Sequence, residues 1–232
     1  MFQRDAHFEL QTRYGLSGLR GQVDLNACDK LTQFNIEKVE STILTGLNSG
    51  VLRKEQLEGK IIDFGCGRGV STAALSLYGG DVTGVEVCAD TIAQGKKLPF
   101  VPADKILNVD GIDYLRSLPA GTLDVACSFM FGPHIDGTLC RDFLDACRHA
   151  LKPGGTVLLQ SDIGTLSKLL HANCLGNGFV QDDVFIAIRG IEDSRRPSPL
   201  DSFDFGDEGG MDFRDAFKKL ELSRFFEEVL KK

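Results

Sequence analysis

The 232-residue sequence predicts an α/β fold: a mostly parallel sheet with helices on both faces. Three observations carry this. Between residues 60 and 160, apolar runs of strand length alternate with stretches of helical periodicity, the pattern of a parallel sheet. Glycine-rich or Pro-Gly stops separate the two kinds of segment. Near residue 180, two apolar runs stand too close together for a parallel crossover, so they must pair antiparallel.

Residues 1–30 are mixed and contain several glycines, as in Tyr14-Gly15-Leu16-Ser17-Gly18, and read as loop and short helix. Over residues 32–47 apolar side chains recur at Phe34, Ile36, Val39, Ile43, Leu44 and Leu47, the spacing of an amphipathic helix, with Asn48 and Gly50 as stops. Strands are predicted at 60–64, 81–87, 106–109, 123–129 and 156–160. The helices between them fall at about 70–78, 89–97, 112–117 and 138–151. Lys152-Pro153-Gly154-Gly155 reads as a turn, since Pro stops a helix and Gly accepts positive φ. A helix near 165–175 precedes the close pair of strands at 179–181 and 184–190. The sheet is therefore expected to have seven strands, one of them reversed in a C-terminal hairpin. Residues 192–210, with Pro197, Pro199 and clustered acids, read as a linker, and 211–231 as an amphipathic helix. The expected organisation is an N-terminal helical extension over 1–59, a core over 60–191, and a linker with terminal helix over 192–232.

Composition narrows the function classes. The net charge is −7, which argues against a sequence-independent grip on nucleic acid, and no basic cluster is long enough to form a nucleic-acid arm. Seven cysteines with no C-x-x-C pair point to free thiols in a reducing compartment, and to neither a disulfide framework nor a zinc site. The first residues are too polar for a secretory signal, and no apolar run has the ~20 residues of a membrane helix. A cytoplasmic protein without a metal centre is the expectation.

The chemistry-bearing segment is Ile61-Ile62-Asp63-Phe64-Gly65-Cys66-Gly67-Arg68-Gly69. A dinucleotide fingerprint needs G-x-G-x-x-G, and its third glycine would fall where Val70 stands. Asp63, two places before the first glycine, would also face a pyrophosphate with like charge. A cofactor with a cationic amino-acid tail, a sulfonium, a ribose and an adenine suits these residues better. The carboxylate matches the ammonium, and the glycines admit close approach of the backbone.

This segment resembles motif I of the class I S-adenosylmethionine (SAM)-dependent methyltransferases. Glu86 ends the next strand, and Asp110-Gly111 follows the third. Leu151-Lys152-Pro153-Gly154-Gly155-Thr156-Val157-Leu158 resembles the family's entry into strand five, and the terminal hairpin its reversed last strand. The resemblance covers about residues 60–190 and implies a Rossmann-like three-layer sandwich. It implies that Glu86 binds the ribose hydroxyls and that Asp110 meets the adenine amino group. Glu86 also reads as a solvated strand-end acid, and Asp110 as the N-cap of the helix beginning near Ile112, or as both cap and ligand. The cofactor-binding set is Asp63, Gly65, Cys66, Gly67, Glu86, Val87, Asp110, Gly111 and Ser128.

The acceptor belongs beyond the carboxyl end of the fourth strand, at Ser128-Phe129-Met130-Phe131-Gly132-Pro133-His134-Ile135-Asp136. This loop lacks the N/D-P-P-Y/F motif of amino-methylating nucleic-acid enzymes and the Pro-Cys of cytosine-C5 enzymes. His134 is the candidate base for a protonated acceptor, with Asp136 to orient it or act alone. The alternative is a loop histidine at the pocket rim. The N-terminal segment reads either as a lid bringing Phe2, Phe8 or Tyr14 to the acceptor, or as a packing extension. The leading function is methyl transfer to a small-molecule or other non-nucleic acceptor. A protein or RNA substrate, or a non-catalytic module binding SAM or S-adenosylhomocysteine, remain open. Aminopropyl transfer lacks the expected acids.

Overall fold

The computed structural model describes residues 6–48, 50–129, 137–160, 178–181 and 185–189. The helices expected at 165–175 and 211–231, the linker at 192–210 and the loop residues 130–136 lie outside that set.

Strands β1 (Lys60–Phe64), β2 (Asp81–Glu86), β3 (Ile106–Asn108), β4 (Leu123–Ser128) and β5 (Leu151–Gln160) pair parallel in the order β3-β2-β1-β4-β5. Beyond β5, strand β7 (Phe185–Arg189) pairs antiparallel with β5, and β6 (Gly178–Gln181) antiparallel with β7. Helices α1 (Ala6–Tyr14) and α2 (Lys30–Asn48) precede the sheet. Helices α3 (Val70–Ser76), α4 (Ala89–Gly95), α5 (Gly111–Ser117) and α6 (Gly137–Ala150) connect its parallel strands. This is the α/β, Rossmann-like architecture that the alternation predicts.

Neighbouring residues on a strand serve opposite layers, as strand geometry requires. Ile61 joins a core with Ile36, Val39 and Ile43 of α2, and Ala73 and Leu75 of α3. Ile62 joins a second core with Leu115 of α5 and Phe143 and Cys147 of α6. A strand buried on both faces cannot show apolar-polar alternation, which is why Ile61 and Ile62 stand side by side in β1.

The segment Lys152-Pro153-Gly154-Gly155 is not a separate turn. It lies within β5, whose register on β4 jumps from Leu123↔Leu151 to Val125↔Thr156. Four residues are thus looped out of the ladder between paired positions. Pro153 has no N–H to donate, and Gly154 takes φ +73°. Nearby, Asp124 accepts from the Lys60 amide (2.9 Å) and the Lys152 ammonium (2.8 Å), fastening the amino end of the sheet as a structural acid.

The N-terminal segment is fastened to α2 through a buried carboxylate. Glu40 Oε1 lies 3.2 Å from His7 Nδ1, and Oε2 lies 3.6 Å from Arg20 Nε. A Cβ on Gly18 would stand 2.2 Å from Glu40 Oε1, so a larger residue here would displace the carboxylate. Burial pushes the Glu40 carboxyl above its ordinary range against the pull of His7 and Arg20.

Candidate functional site

Strand order reverses between β1 and β4, so their carboxyl ends open a crevice at the switch point. The glycine turn leaves β1 there. Its three glycines all adopt positive φ (Gly65 +65°, Gly67 +55°, Gly69 +79°), but for different reasons. A Cβ on Gly69 would stand 2.2 Å from Ile106 Cδ1, so this glycine is required for packing at the N-cap of α3. A Cβ on Gly65 would meet no atom of the described residues within 4 Å. Its open side is a space that a ligand can approach.

Glu86 ties this turn to the next strand. Its Oε2 accepts from the Gly67 amide at 3.0 Å and its Oε1 from the Cys88 amide at 2.8 Å. Each oxygen keeps lone-pair capacity for another donor. Asn108 donates through Nδ2 to the carbonyls of Glu86 and Val87, both at 2.9 Å, binding the β2 and β3 ends together. Val87 is 72% exposed at this edge, with Val109 partly exposed beside the β3 end.

Asp63 does not stand open at the strand end. It is fully buried, and its Oδ2 accepts from Ser71 Oγ (2.6 Å) and Thr72 Oγ1 (2.7 Å) on α3. Its Oδ1 is buried without a hydrogen-bond partner among the described residues. Burial raises its pKa to about 6, against the two hydroxyl bonds, with the Glu86 charge pushing the same way.

The remaining sequence-predicted residues divide. Asp110 caps α5, its Oδ1 accepting from the amides of Ile112 (2.9 Å) and Asp113 (3.0 Å). Gly111 gives room to Phe64, whose Cε2 would stand 2.4 Å from a Cβ there. Ser128 is buried and donates to the Phe64 carbonyl at 2.7 Å, clipping β4 to β1. Cys66 is buried beneath the turn, with its thiol pushed up by burial, far from a nucleophile's range. His134 and Asp136 lie outside the described residues, as does Phe2. Phe8 is exposed, and Tyr14 donates to Asn48 Oδ1 at 2.7 Å, at the end of α2 remote from Asp29.

Two features were not singled out from the sequence. Arg68, inside the glycine turn, forks onto Asp29 at the start of α2 (Nη1–Oδ2 2.9 Å, Nη2–Oδ1 3.1 Å) and reaches Thr32 Oγ1 at 3.0 Å. A pair 39 residues apart leaves no local pattern to find. Gln160, at the carboxyl end of β5, is fully buried, and neither atom of its amide has a hydrogen-bond partner among the described residues. An amide ending an apolar strand beside the crevice was a signal available in the sequence.

These residues fit a cofactor with a cationic tail and a ribose. Glu86 stands at the carboxyl end of β2 with lone pairs to spare, Asp63 keeps a buried oxygen that has no partner among the described residues, and the open side of Gly65 admits a ligand against the backbone.

Residues 62–159 match a family model described as a methyltransferase domain. Among curated proteins, a ubiquinone biosynthesis O-methyltransferase of Xylella fastidiosa (strain 9a5c) is 28% identical over 115 residues, covering 49% of this chain and 46% of the relative. The chain thus matches about half the length of that relative. A solved structure of a probable spermidine synthase from Corynebacterium glutamicum ATCC 13032 superposes with a TM-score of 0.51 at 14% identity, over 70% of this chain and 67% of that one. That likeness concerns the fold alone. A SAM-dependent methyltransferase structure from Archaeoglobus fulgidus has 23% identity and a TM-score of 0.41, covering 63% of this chain and 66% of its own.

Proposed function

We propose that this chain, whose residues 62–159 belong to the class I SAM-dependent methyltransferases, moves a methyl group from SAM to a hydroxyl of a small molecule by in-line displacement. The observation that carries the reading is the Glu86 carboxylate, held at 3.0 Å by the Gly67 amide beside the open face of Gly65. The hydroxyl acceptor is suggested by the O-methyltransferase relative. When bound, SAM supplies an electrophilic methyl carbon on a sulfonium with a good leaving group.

In this reading the chain supplies alignment and exclusion of water. Gly65, Cys66 and Gly67 offer backbone to the cofactor, and Glu86 holds the ribose hydroxyls with the lone pairs its two amide bonds leave free. Val87 gives the adenine an apolar wall, with Asp110 and Gly111 at its edge. Asp110 keeps its Oδ2 for this task while Oδ1 caps α5. Asp63 stabilises the ammonium end and, through Ser71 and Thr72, fixes α3 beneath the turn. Ser128 acts at one remove, by holding the β1 and β4 ends together. His134, with Asp136, takes the proton of the acceptor hydroxyl. Phe129 and Gln160 stand at the β4 and β5 ends, on the acceptor side. The domain reading is kept with it: 1–59 as the covering segment, 60–191 as the core with its seven-stranded sheet, 192–232 as an appendage. A cytoplasmic location suits the free thiols.

Calorimetry with S-adenosylhomocysteine tests the cofactor half. The wild-type protein is expected to bind, and Glu86→Ala to bind roughly tenfold or more weakly, because two amides and the ribose lose one shared acceptor. In the same preparations His134→Ala should retain affinity while turnover of a small phenol or catechol falls by about a hundredfold. Heat from NAD and none from S-adenosylhomocysteine sinks the assignment.

A further inference from the structure

Arg68 occupies an unusual place for a long cationic side chain. It sits between Gly67 and Gly69 in the turn that faces the cofactor crevice, yet it is turned away from the crevice. Its guanidinium meets Asp29 with two parallel bonds of 2.9 and 3.1 Å, and Thr32 with a third of 3.0 Å. Asp29 also opens α2: its Oδ1 accepts from the Thr32 amide (2.8 Å), its Oδ2 from Thr32 Oγ1 (3.1 Å), and its carbonyl from the Gln33 amide (3.0 Å). The Arg68 hydrogen bonds hold the Asp29 carboxyl well below the usual carboxylate range.

The backbone of Arg68 is fixed from the other side. A Cβ on Gly95, in α4, would stand 2.1 Å from the Arg68 carbonyl oxygen, so helix and turn are in direct contact. The residue is thus held between α2 and α4, while its neighbours Gly65 and Gly67 carry the positive-φ backbone of the cofactor turn. An exposed ion pair contributes little on average, but a bidentate fork on a mostly covered guanidinium is the geometry in which a pair constrains position. Here Arg68 is 17% exposed and Asp29 50%. The preceding segment is pinned at a second place by the His7–Glu40–Arg20 cluster, so residues 6–29 are fastened to α2 well before the fork.

We infer that Asp29 and Arg68 form a latch that couples the N-terminal segment to the cofactor turn: Asp29 is a positioning residue for SAM binding although it belongs to the extension. The inference rests on the cofactor reading above. Linkage makes the coupling reciprocal. A latched turn binds cofactor more tightly, and bound cofactor holds the N-terminal segment more firmly.

Calorimetry with S-adenosylhomocysteine tests this on the full chain. Asp29→Ser keeps a side chain able to cap α2 but cannot accept the fork. It should bind roughly tenfold more weakly while its melting temperature stays close to wild type. Arg68→Lys keeps the charge without the fork and should show the same loss, which provides a second variant if the first folds poorly. The double variant should be no weaker than the weaker single, as expected of two residues acting through one contact. Hydrogen exchange supplies a readout that simple helix capping does not move. S-adenosylhomocysteine should slow exchange over residues 6–33 in wild type and not in Asp29→Ser. Unchanged affinity in both single variants, or additive losses in the double, overturns the latch. A wild-type protein that binds no S-adenosylhomocysteine overturns the cofactor reading and the latch together, and so is distinguishable from failure of the latch alone.

Discussion

Asp63 combines full burial with a carboxyl whose pKa is raised to about 6, chiefly by that burial. The folded protein therefore holds this proton more tightly than the unfolded chain, whose aspartate titrates near 4. Its contribution favours the fold below about pH 4 and is lost as pH rises through about 6, above which folding buries an ionised group. Asp63→Asn keeps an acceptor for Ser71 and Thr72 and removes the charge. In urea melts its stability relative to wild type should rise between pH 4 and pH 7 by up to about 3 kcal/mol, then level off. Titrations common to both proteins, that of Glu40 included, cancel in this difference. A gap independent of pH refutes the assignment. The sequence marks Asp63 as the acid of the turn, and the structure places it fully buried near the end of β1. What the sequence cannot reveal is that one oxygen is already taken by two hydroxyls of the following helix, since Ser71 and Thr72 look like ordinary residues of a helix's first turn.

At the scale of elements, the same residue type at two places in one turn does two different things. Gly65→Ala and Gly69→Ala both force a Cβ into left-handed backbone, at about 1–2 kcal/mol each. Only Gly69→Ala also drives that Cβ to 2.2 Å from Ile106 Cδ1 and 2.9 Å from Val101 Cγ1. Chemical denaturation should therefore find Gly69→Ala the less stable of the two, by a further 1–3 kcal/mol or so of overpacking. Gly65→Ala, whose Cβ enters open space, should lose S-adenosylhomocysteine affinity out of proportion to its stability. Equal stability losses, or cofactor affinity unchanged in Gly65→Ala, contradict this division. Strands and helices of the core were legible because each element carries its own period and a glycine or proline stop. The elements misread are those whose role depends on a neighbour. Lys152-Pro153-Gly154-Gly155 has the composition of a turn but is bridged into β5 by β4 pairing on both sides. The Asp29–Arg68 fork spans α2 and the turn and has no local signature at all.

Over the whole molecule the charge is −7, from 33 acidic and 26 basic residues. The described crevice repeats that sign locally through Glu86, and the one guanidinium in its glycine turn is committed to Asp29. An acidic surround attracts a cationic cofactor and repels a polyanion, an effect strongest at low ionic strength, where charges are less screened and their field reaches further. Tight, non-specific RNA binding requires several cations near phosphates and weakens steeply with salt. A fluorescent single-stranded RNA titrated at about 50 mM salt should therefore give no saturable binding, while small phenols and catechols should accept methyl groups at rates only weakly dependent on salt. Saturable RNA binding that collapses as salt is raised would falsify the small-molecule reading. It would place a basic surface outside the described residues, where Arg195-Arg196 and Lys218-Lys219 are the first places to look. The test separates acceptor classes without requiring the acceptor's identity, because it uses the one property of the chain that distinguishes a polyanion from a small neutral hydroxyl.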